Sequence, residues 1–524
     1  MQKVLISAAA IVGIAAGSAH ASESATAVPP KAAVKHHVAA KKVAMRHKAH
    51  VPADAQAYQA QAEAPYAPPA DLAAPLVPLA RAMNSIGLPA KDGSLTYHGV
   101  TVYGGIDLGL GYQSHGAPLS SYYGSGRNYT PNAANSHTQV GLMPNSLSYS
   151  NIGVKGVEEI VPGFNFVFNA QTTFLPTSGN LSNGNKSQVV NNGVVASSRT
   201  SAGDSSRNGQ IDNAQAYAGF SSPTYGTLTF GRQYSLTLDA VIAYDPMSAS
   251  NAFSLIGFAG MTPGGGNTED ARQGDALKYR VNFGPFRAAA MYKFDEFGNS
   301  NRNAYAAQFG GEYQGFSADV IYNVVKDSVT TSSIGAGLVT PTNVNQLNGT
   351  VSDNYAVMAV ASYKIDKFKF YAGFENIRFE NPENPLGNGS PAEGVQLATV
   401  TNNAFGSATT KNRIVNIFWG GVKYAFRDNI DLIGAYYHYN QNSYAVGANA
   451  GCSSRLISAT CSGTQDAGSV LIDYRFSKRF DVYAGAMYGV VHGGFANGYA
   501  PVANGTTGAA TNTIDPMVGA RFQF

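Results

Sequence analysis

From Leu95 to its end the chain alternates between apolar and polar residues. Leu277, Tyr279, Val281 and Phe283 interleave with Lys278, Arg280 and Asn282. Phe164, Phe166, Phe168 and Ala170 interleave with Asn165, Val167, Asn169 and Gln171, and Phe316, Ala318, Val320, Tyr322 and Val324 share one face of 316–324. A period of two sends successive side chains to opposite faces of a strand, so each run has one apolar and one polar side. Many runs last roughly 9–14 residues, beyond the ~5–6 of a common globular strand. They match the ~9–11 residues with which a tilted strand crosses a bilayer. A β-sandwich would need shorter strands with more charge on their wet faces.

About sixteen such runs occur, near 97–112, 146–156, 163–175, 211–220, 226–233, 275–283, 285–294, 304–314, 316–326, 354–365, 367–379, 412–426, 429–442, 467–476, 480–492 and 510–524. Tight connections at Gly284, Gly315, Asp366 and Arg427-Asp428 alternate with long ones at 113–145, 175–210, 234–274, 327–353 and 380–411. One rim of tight turns facing one rim of long loops describes a transmembrane antiparallel β-barrel. Closure is what satisfies strand edges in lipid. The fold class expected is therefore all-β: an even-stranded barrel of about sixteen strands behind a disordered N-terminal extension.

Composition excludes the competing classes. Asp, Glu, Lys and Arg make up only 13% of the 524 residues, while hydrophobic residues stay at 44%. Soluble proteins carry about twice that charge, and no stretch past the N-terminus offers the ~18 apolar residues of a spanning helix. Abundant Gly (58), Tyr (30) and Phe (26) suit strands with one lipid-facing side. Residues 1–90 hold eight Lys or Arg against four Asp or Glu, leaving 27 against 28 for the remainder. The basic balance thus belongs to the leader, and nucleic-acid binding by the main domain loses its support.

The leader has two parts. Met1 to Ala21 joins Lys3, an apolar core and Ala19-His20-Ala21, the pattern of a cleaved signal peptide. Residues 22–90 are rich in Ala, Pro, Lys and His and cannot bury enough apolar surface to offset their ordering entropy. They are expected to be a disordered periplasmic extension, either a plain spacer or a tether touching the cell wall or another anionic surface. His36, His37, His47 and His50 lack ligand spacing, so no metal site is expected there. The barrel domain then runs from 91 to 524. Cys452 and Cys461 would lie in an oxidising space and are expected to form one disulfide in an external loop.

Four segments carry a resemblance. They are LTYHGVTVYGGIDLGLGY (95–112), SNIGVKGVEEIVPGFNFVFNAQTTF (150–174), AQAYAGFSSPTYGTLTFGRQY (214–234) and the terminal Phe524. In this order they resemble the general (diffusion) porins of Gram-negative bacterial outer membranes. The resemblance implies a sixteen-stranded barrel, usually a homotrimer, set among outer-membrane lipid and lipopolysaccharide and passing small hydrophilic solutes and ions. It implies also that 234–274 folds into the barrel as a constriction, with Asp239 and Asp245 among the loop's acids and Arg272 on the wall.

Parity adds Lys278 and Arg280 to the face of Arg272, away from Leu277 and Tyr279. A Lys or Arg facing lipid at midplane costs ~2–4 kcal/mol, which sends these three to the lumen. Lys155 keeps a basic position on the second strand, on the face of Asn151 and Gly153. Arg232 shares parity with Leu228 and Phe230 and is expected at a subunit contact or the loop base. Asn151, Ala214 and Gln171 stand where the family often has two arginines and a glutamate. Charges missing on both sides imply weak ion selectivity.

Catalytic motifs are absent from the sequence: no His-Glu-x-x-His, no Gly-x-Ser-x-Gly, no phosphate-binding Gly-Lys-Ser/Thr. His438 and His492 occur singly in strand patterns and read as wall residues, and Trp419 has ambiguous parity. A porin for passive diffusion, not an enzyme and without cofactor, is the expectation. The alternative is a substrate-specific outer-membrane channel with a solute-binding site.

Overall fold

The computed structural model describes residues 95–524, leaving out 98, 117–125, 128, 130–136, 180, 182–213, 258–270, 295–302, 334–346, 382–394, 400–411, 445–461 and 494–510. The expected signal peptide, the expected extension to residue 90 and the pair Cys452 and Cys461 lie outside the described residues.

Sixteen strands form the wall. The first five are β1 (Val100–Gly116), β2 in two segments (His137–Pro144 and Ser150–Val161), β3 (Phe164–Phe174), β4 (Gln215–Ser222) and β5 (Gly226–Tyr234). A helix α1 (Leu236–Tyr244) follows, then β6 (Arg272–Phe283), β7 (Phe286–Lys293), β8 (Ala304–Tyr313) and β9 (Phe316–Ser333). The series continues with β10 (Leu347–Ile365), β11 (Phe368–Glu380), β12 (Arg413–Arg427) and β13 (Ile430–Gln441). It ends with β14 (Gly463–Arg475), β15 (Phe480–Gly493) and β16 (Asn512–Gln523). Each wall strand pairs antiparallel with the next, and β16 returns to β1 from Gln523↔Gly105 to Met517↔Gly111. Phe524 completes the seam, exchanging two backbone hydrogen bonds with Gly104 at 3.0 Å. Closure leaves no wall strand with an open edge, the condition for standing in hydrocarbon. No described helix is long and apolar enough to cross a membrane.

The alternation sorts side chains as expected. Leu110, Val140, Phe309, Val320, Val470 and Val518 point outward, each more than half exposed. Asn169, Gln171, Asp319, Asn323 and Gln465 point inward and are buried. Aromatic pairs gird the short-turn rim, such as Phe164 with Tyr225 (5.6 Å) and Phe368 with Tyr424 (4.6 Å). Near the long-loop rim, Tyr292 meets Phe294 at 5.0 Å and Phe374 meets Phe418 at 4.9 Å. Val320→Lys on this outward band is expected to cost about 2–4 kcal/mol. Refolding equilibria into lipid vesicles measure it, and an unchanged midpoint would take Val320 off the lipid face.

Several boundaries differ from the sequence expectation. The stretch 113–145, expected as a loop, contains the first segment of β2, which pairs with the upper half of β1. Asn145, at φ 56°, breaks the strand before Ser150 resumes it. The described residues of 327–353, also expected as a loop, are strand: β9 and β10 run on together through Ser333↔Leu347, and Val395–Thr399 adds to β10 in parallel. β4 begins at Gln215 rather than near 211.

Candidate pore constriction

The segment after β5 enters the barrel as α1. Ser235 caps it, its hydroxyl accepting from the Leu238 N–H at 3.1 Å, which satisfies one of the orphan donors of the first turn. The helix sequence LTLDAVIAY is apolar nearly all round, and eight of its nine residues are buried. Such a helix must be enclosed on every side. Here the enclosing surfaces are the inner wall and the rest of its own loop, through Met291, Ile321, Met358, Ile377 and Ile417.

Asp239, in the first turn, meets the wall directly. Lys278 Nζ donates to its Oδ2 at 2.6 Å and to the Tyr234 carbonyl at 2.6 Å, and Arg280 donates to the same Asp239 oxygen. The three side chains are between 1% and 8% exposed. Acid and bases expected to face one another across the lumen are thus in contact, a buried cluster with one cation in excess. Removing one member of such a cluster leaves an uncompensated buried charge.

Asp245 lies elsewhere, at the C-terminal cap of α1 and fully buried. Tyr437 Oη donates to its Oδ1 at 2.6 Å and the Ala249 N–H to its Oδ2 at 2.7 Å. Burial pushes this carboxyl above the usual range, against the pull of those hydrogen bonds. Beside it, Tyr244 Oη donates to Asp319 at 2.5 Å, and Arg287 holds both Asp319 oxygens at 2.9 and 2.6 Å. Trp419 Nε1 donates to the Tyr244 carbonyl at 3.2 Å. Its ring lies over Gly373, where a Cβ would sit 2.1 Å from ring carbons. The loop then crosses back. Asn251 donates to the Asn145 carbonyl (2.7 Å), the Ala252 N–H to Ser146 (2.9 Å), and Phe253 packs edge-on to Tyr483.

The remaining expected residues stand apart from these contacts. Arg272 is sandwiched near the rings of Tyr149 (5.7 Å) and Tyr234 (5.5 Å). Lys155 is exposed near the short-turn rim, 5.2 Å over the Tyr103 ring. Arg232 shares a rung with Ala216 on the outward side. Where family charges are missing, neutral amides link up: Gln171 donates to Asn151 at 3.2 Å and Gln215 to Gln171 at 3.3 Å. His438 faces outward and pairs with Asp466 at 2.7 Å.

One group escaped the sequence reading. Lys364, Lys369 and Lys423 occupy directly paired positions on β10, β11 and β12, forming a lateral rung on the inner face. Lys369 lies 4.6 Å over the Tyr371 ring, and Lys423 reaches Asp431 at 2.5 Å, an acid that Arg475 also holds at 2.6 Å. Like charges directly opposite across strands are unfavourable, so this rung is not explained by stability. Each lysine's inward parity is readable beside Tyr363, Phe368, Phe370 and Tyr424; their alignment is not. Among the described residues no cluster of three or more His, Cys, Asp or Glu could hold a metal ion.

Comparison with known proteins agrees with this architecture. The family model described as Gram-negative porin matches residues 7–492. An outer membrane porin of Bordetella pertussis is 26% identical over 158 residues, covering 30% of this chain and 34% of that relative. The chain thus aligns with about a third of that relative's length. The solved anion-selective porin from Comamonas acidovorans has the same fold, with a TM-score of 0.52 and 17% identity over 81% of this chain and 99% of that one. The family match spans nearly the whole sequence, and the closed sixteen-stranded barrel agrees with it: the chain belongs to the Gram-negative porins, channel proteins of the outer membrane.

Proposed function

We propose that the chain forms a water-filled channel through which small hydrophilic solutes and ions diffuse passively, with a leaning toward anions. The observation that carries the reading is the lysine rung Lys364–Lys369–Lys423 on the inner face of a closed barrel. Inward-facing charges that are not sealed include these three with Lys155, Arg272 and Arg475, against Glu159, Glu312 and Asp473, while Asp431 is shared by Lys423 and Arg475. A basic lining raises the local anion concentration in a narrow, partly low-dielectric passage. Asp239, Lys278 and Arg280 seat the loop that narrows the channel, Asp245 ties down the helix end, and Arg272 and Lys155 add to the positive lining.

The working form in this proposal is a homotrimer embedded in outer-membrane lipid and lipopolysaccharide, exported by removal of residues 1–21. Residues 22–90 trail into the periplasm, where their basic stretch can touch the cell wall. The Cys452–Cys461 bridge closes an external loop. The chain carries solutes and catalyses nothing.

Single-channel recording in planar bilayers under a KCl gradient tests this. Expected are ohmic conductance steps in threes and a reversal potential on the anion side. Current that saturates with one solute would favour a substrate-specific channel, and electrical silence would remove the channel reading.

A further inference from the structure

Three deeply buried arginines of the inner wall each hold an aspartate: Arg280 with Asp239, Arg287 with Asp319 and Arg521 with Asp481. Arg413, on the inner face of β12, is buried as deeply, at 4% exposure, and among the described residues holds none. Its Nε donates to Gln441 Oε1 at 2.7 Å, and its guanidinium lies 4.6 Å over the Phe379 ring. Nη2 is buried and meets no acceptor among the described residues. The neighbouring acid Glu380 points outward, held by Arg378 and Asn412. Glu375, on the inner face of β11, stands four residues in from Phe379, ~13 Å along the strand. A guanidinium fixed by a ring and an amide, with a buried nitrogen unengaged, is set to receive an anion.

A second such group lies beside it. Gln465, on β14, is fully buried, and neither its carboxamide oxygen nor its nitrogen has a partner among the described residues. Register brings the two groups together. Val415 pairs with Gln441 and Gln441 with Gly463, while Tyr439 pairs with Gln465 and Gln465 with Val491. Gln465 is thus the diagonal neighbour of Gln441, on which Arg413 rests, and diagonal neighbours stand ~7–8 Å apart. Above Gln465 and Val491 come Gly463 and Gly493, paired positions without side chains, so the inner face is recessed there. Val415 and Val491, both buried, give the recess an apolar lining. It lies on the long-loop side of the constriction: Gln441 is four residues beyond Tyr437, which holds Asp245.

We propose that Arg413 and Gln465 are the two ends of a site, in the outer vestibule, for a small organic acid with an apolar body and a hydroxyl opposite its carboxylate. The inference rests on the channel reading and adds to it one solute class that is held on the way in. The carboxylate lies on the Nη edge of Arg413 as a charge-assisted pair. A hydroxyl both donates and accepts, so it meets the acceptor and the donor of the Gln465 amide together. A planar ring between Val415 and Val491 bridges the span. Enclosure keeps water from weakening the ion pair.

The test uses the full-length protein, purified in mild detergent and titrated with 4-hydroxybenzoate, with binding read by saturation-transfer NMR. Wild type is expected to bind it at least about tenfold more tightly than the uncharged 4-hydroxybenzyl alcohol. Arg413→Gln should erase that preference. Gln465→Leu should erase the preference for 4-hydroxybenzoate over benzoate, expected at about fivefold in wild type. Heat-dependent gel mobility checks barrel assembly. If Arg413→Gln fails to assemble, Gln465→Leu carries the test, since replacing an unpartnered buried amide by an apolar side chain does not weaken a fold. Equal binding of acid and alcohol by wild type would overturn the proposal, as would a preference for the acid that survives Arg413→Gln. Planar bilayers keep the two readings apart: ohmic steps in KCl without 4-hydroxybenzoate binding sink the site alone, whereas binding without conductance leaves the site standing and removes the channel.

Discussion

Replacing Lys364, Lys369 and Lys423 together by Gln is expected to move the reversal potential toward cations, further than any single substitution in the chain. The three ammonium groups stand on adjacent strands ~4.8 Å apart, so their fields add across the lumen. Lys423 is partly neutralised by Asp431, which Arg475 also holds. Lys364→Gln and Lys369→Gln should therefore each shift selectivity more than Lys423→Gln. The effect should fade with salt, because screening shortens from ~10 Å at 0.1 M to ~3 Å at 1 M. Removing three like charges from one rung should also leave the barrel no less stable. Reversal potentials across a KCl gradient at both ionic strengths measure this. An unchanged value at low salt would put the rung off the ion path.

Asp239→Asn should have the largest effect on the loop. It leaves Lys278 and Arg280 buried without their carboxylate, and breaking a buried pair in this way costs about 3–5 kcal/mol. The barrel itself should survive, because its strands pair independently of the loop and the far end of α1 keeps Tyr244, Asp319 and Arg287. The expected result is a loop that lifts from β6, seen as noisier, larger conductance and faster proteolysis between β5 and β6. Asp245→Asn supplies the contrast. Burial already holds that carboxyl above the ordinary range, and an amide keeps an acceptor for Tyr437 or Ala249. Its channel should stay close to wild type. Quiet, unaltered current from Asp239→Asn would show that the ion cluster does not seat the loop.

The wall was legible because lipid on one side and lumen on the other impose a period of two on every strand between the rims. Where that asymmetry ends, legibility ends with it. Ser328 to Ser333 and their partners up to Leu347 pair beyond the outward apolar band, so no alternation marks them as strand. The helix α1 was missed for the opposite reason. Apart from Thr237 and Asp239, LTLDAVIAY is apolar all round, and periodicity shows only where two sides differ. Asp239 and Asp245 looked alike in sequence, six residues apart on one loop. Which of them meets Lys278 depends on where the helix starts and how the loop turns, and neither is written in local pattern. The lysine rung needed strand-to-strand register, here Lys364↔Lys369↔Lys423, which inward parity within each strand does not supply.

The loop's contacts also bear on mechanics. It is fastened to β6 through Asp239, to β7 and β9 through Tyr244, to β12 and β13 through Trp419 and Tyr437, and to the break in β2 through Asn251. These points lie on widely separated arcs of the wall. A sixteen-stranded cylinder one backbone thick bends easily, and side pressure would flatten it into an ellipse. A chain tied across the bore resists that flattening as a cross-brace does, keeping the opening's shape steady as the surrounding bilayer is compressed or stretched.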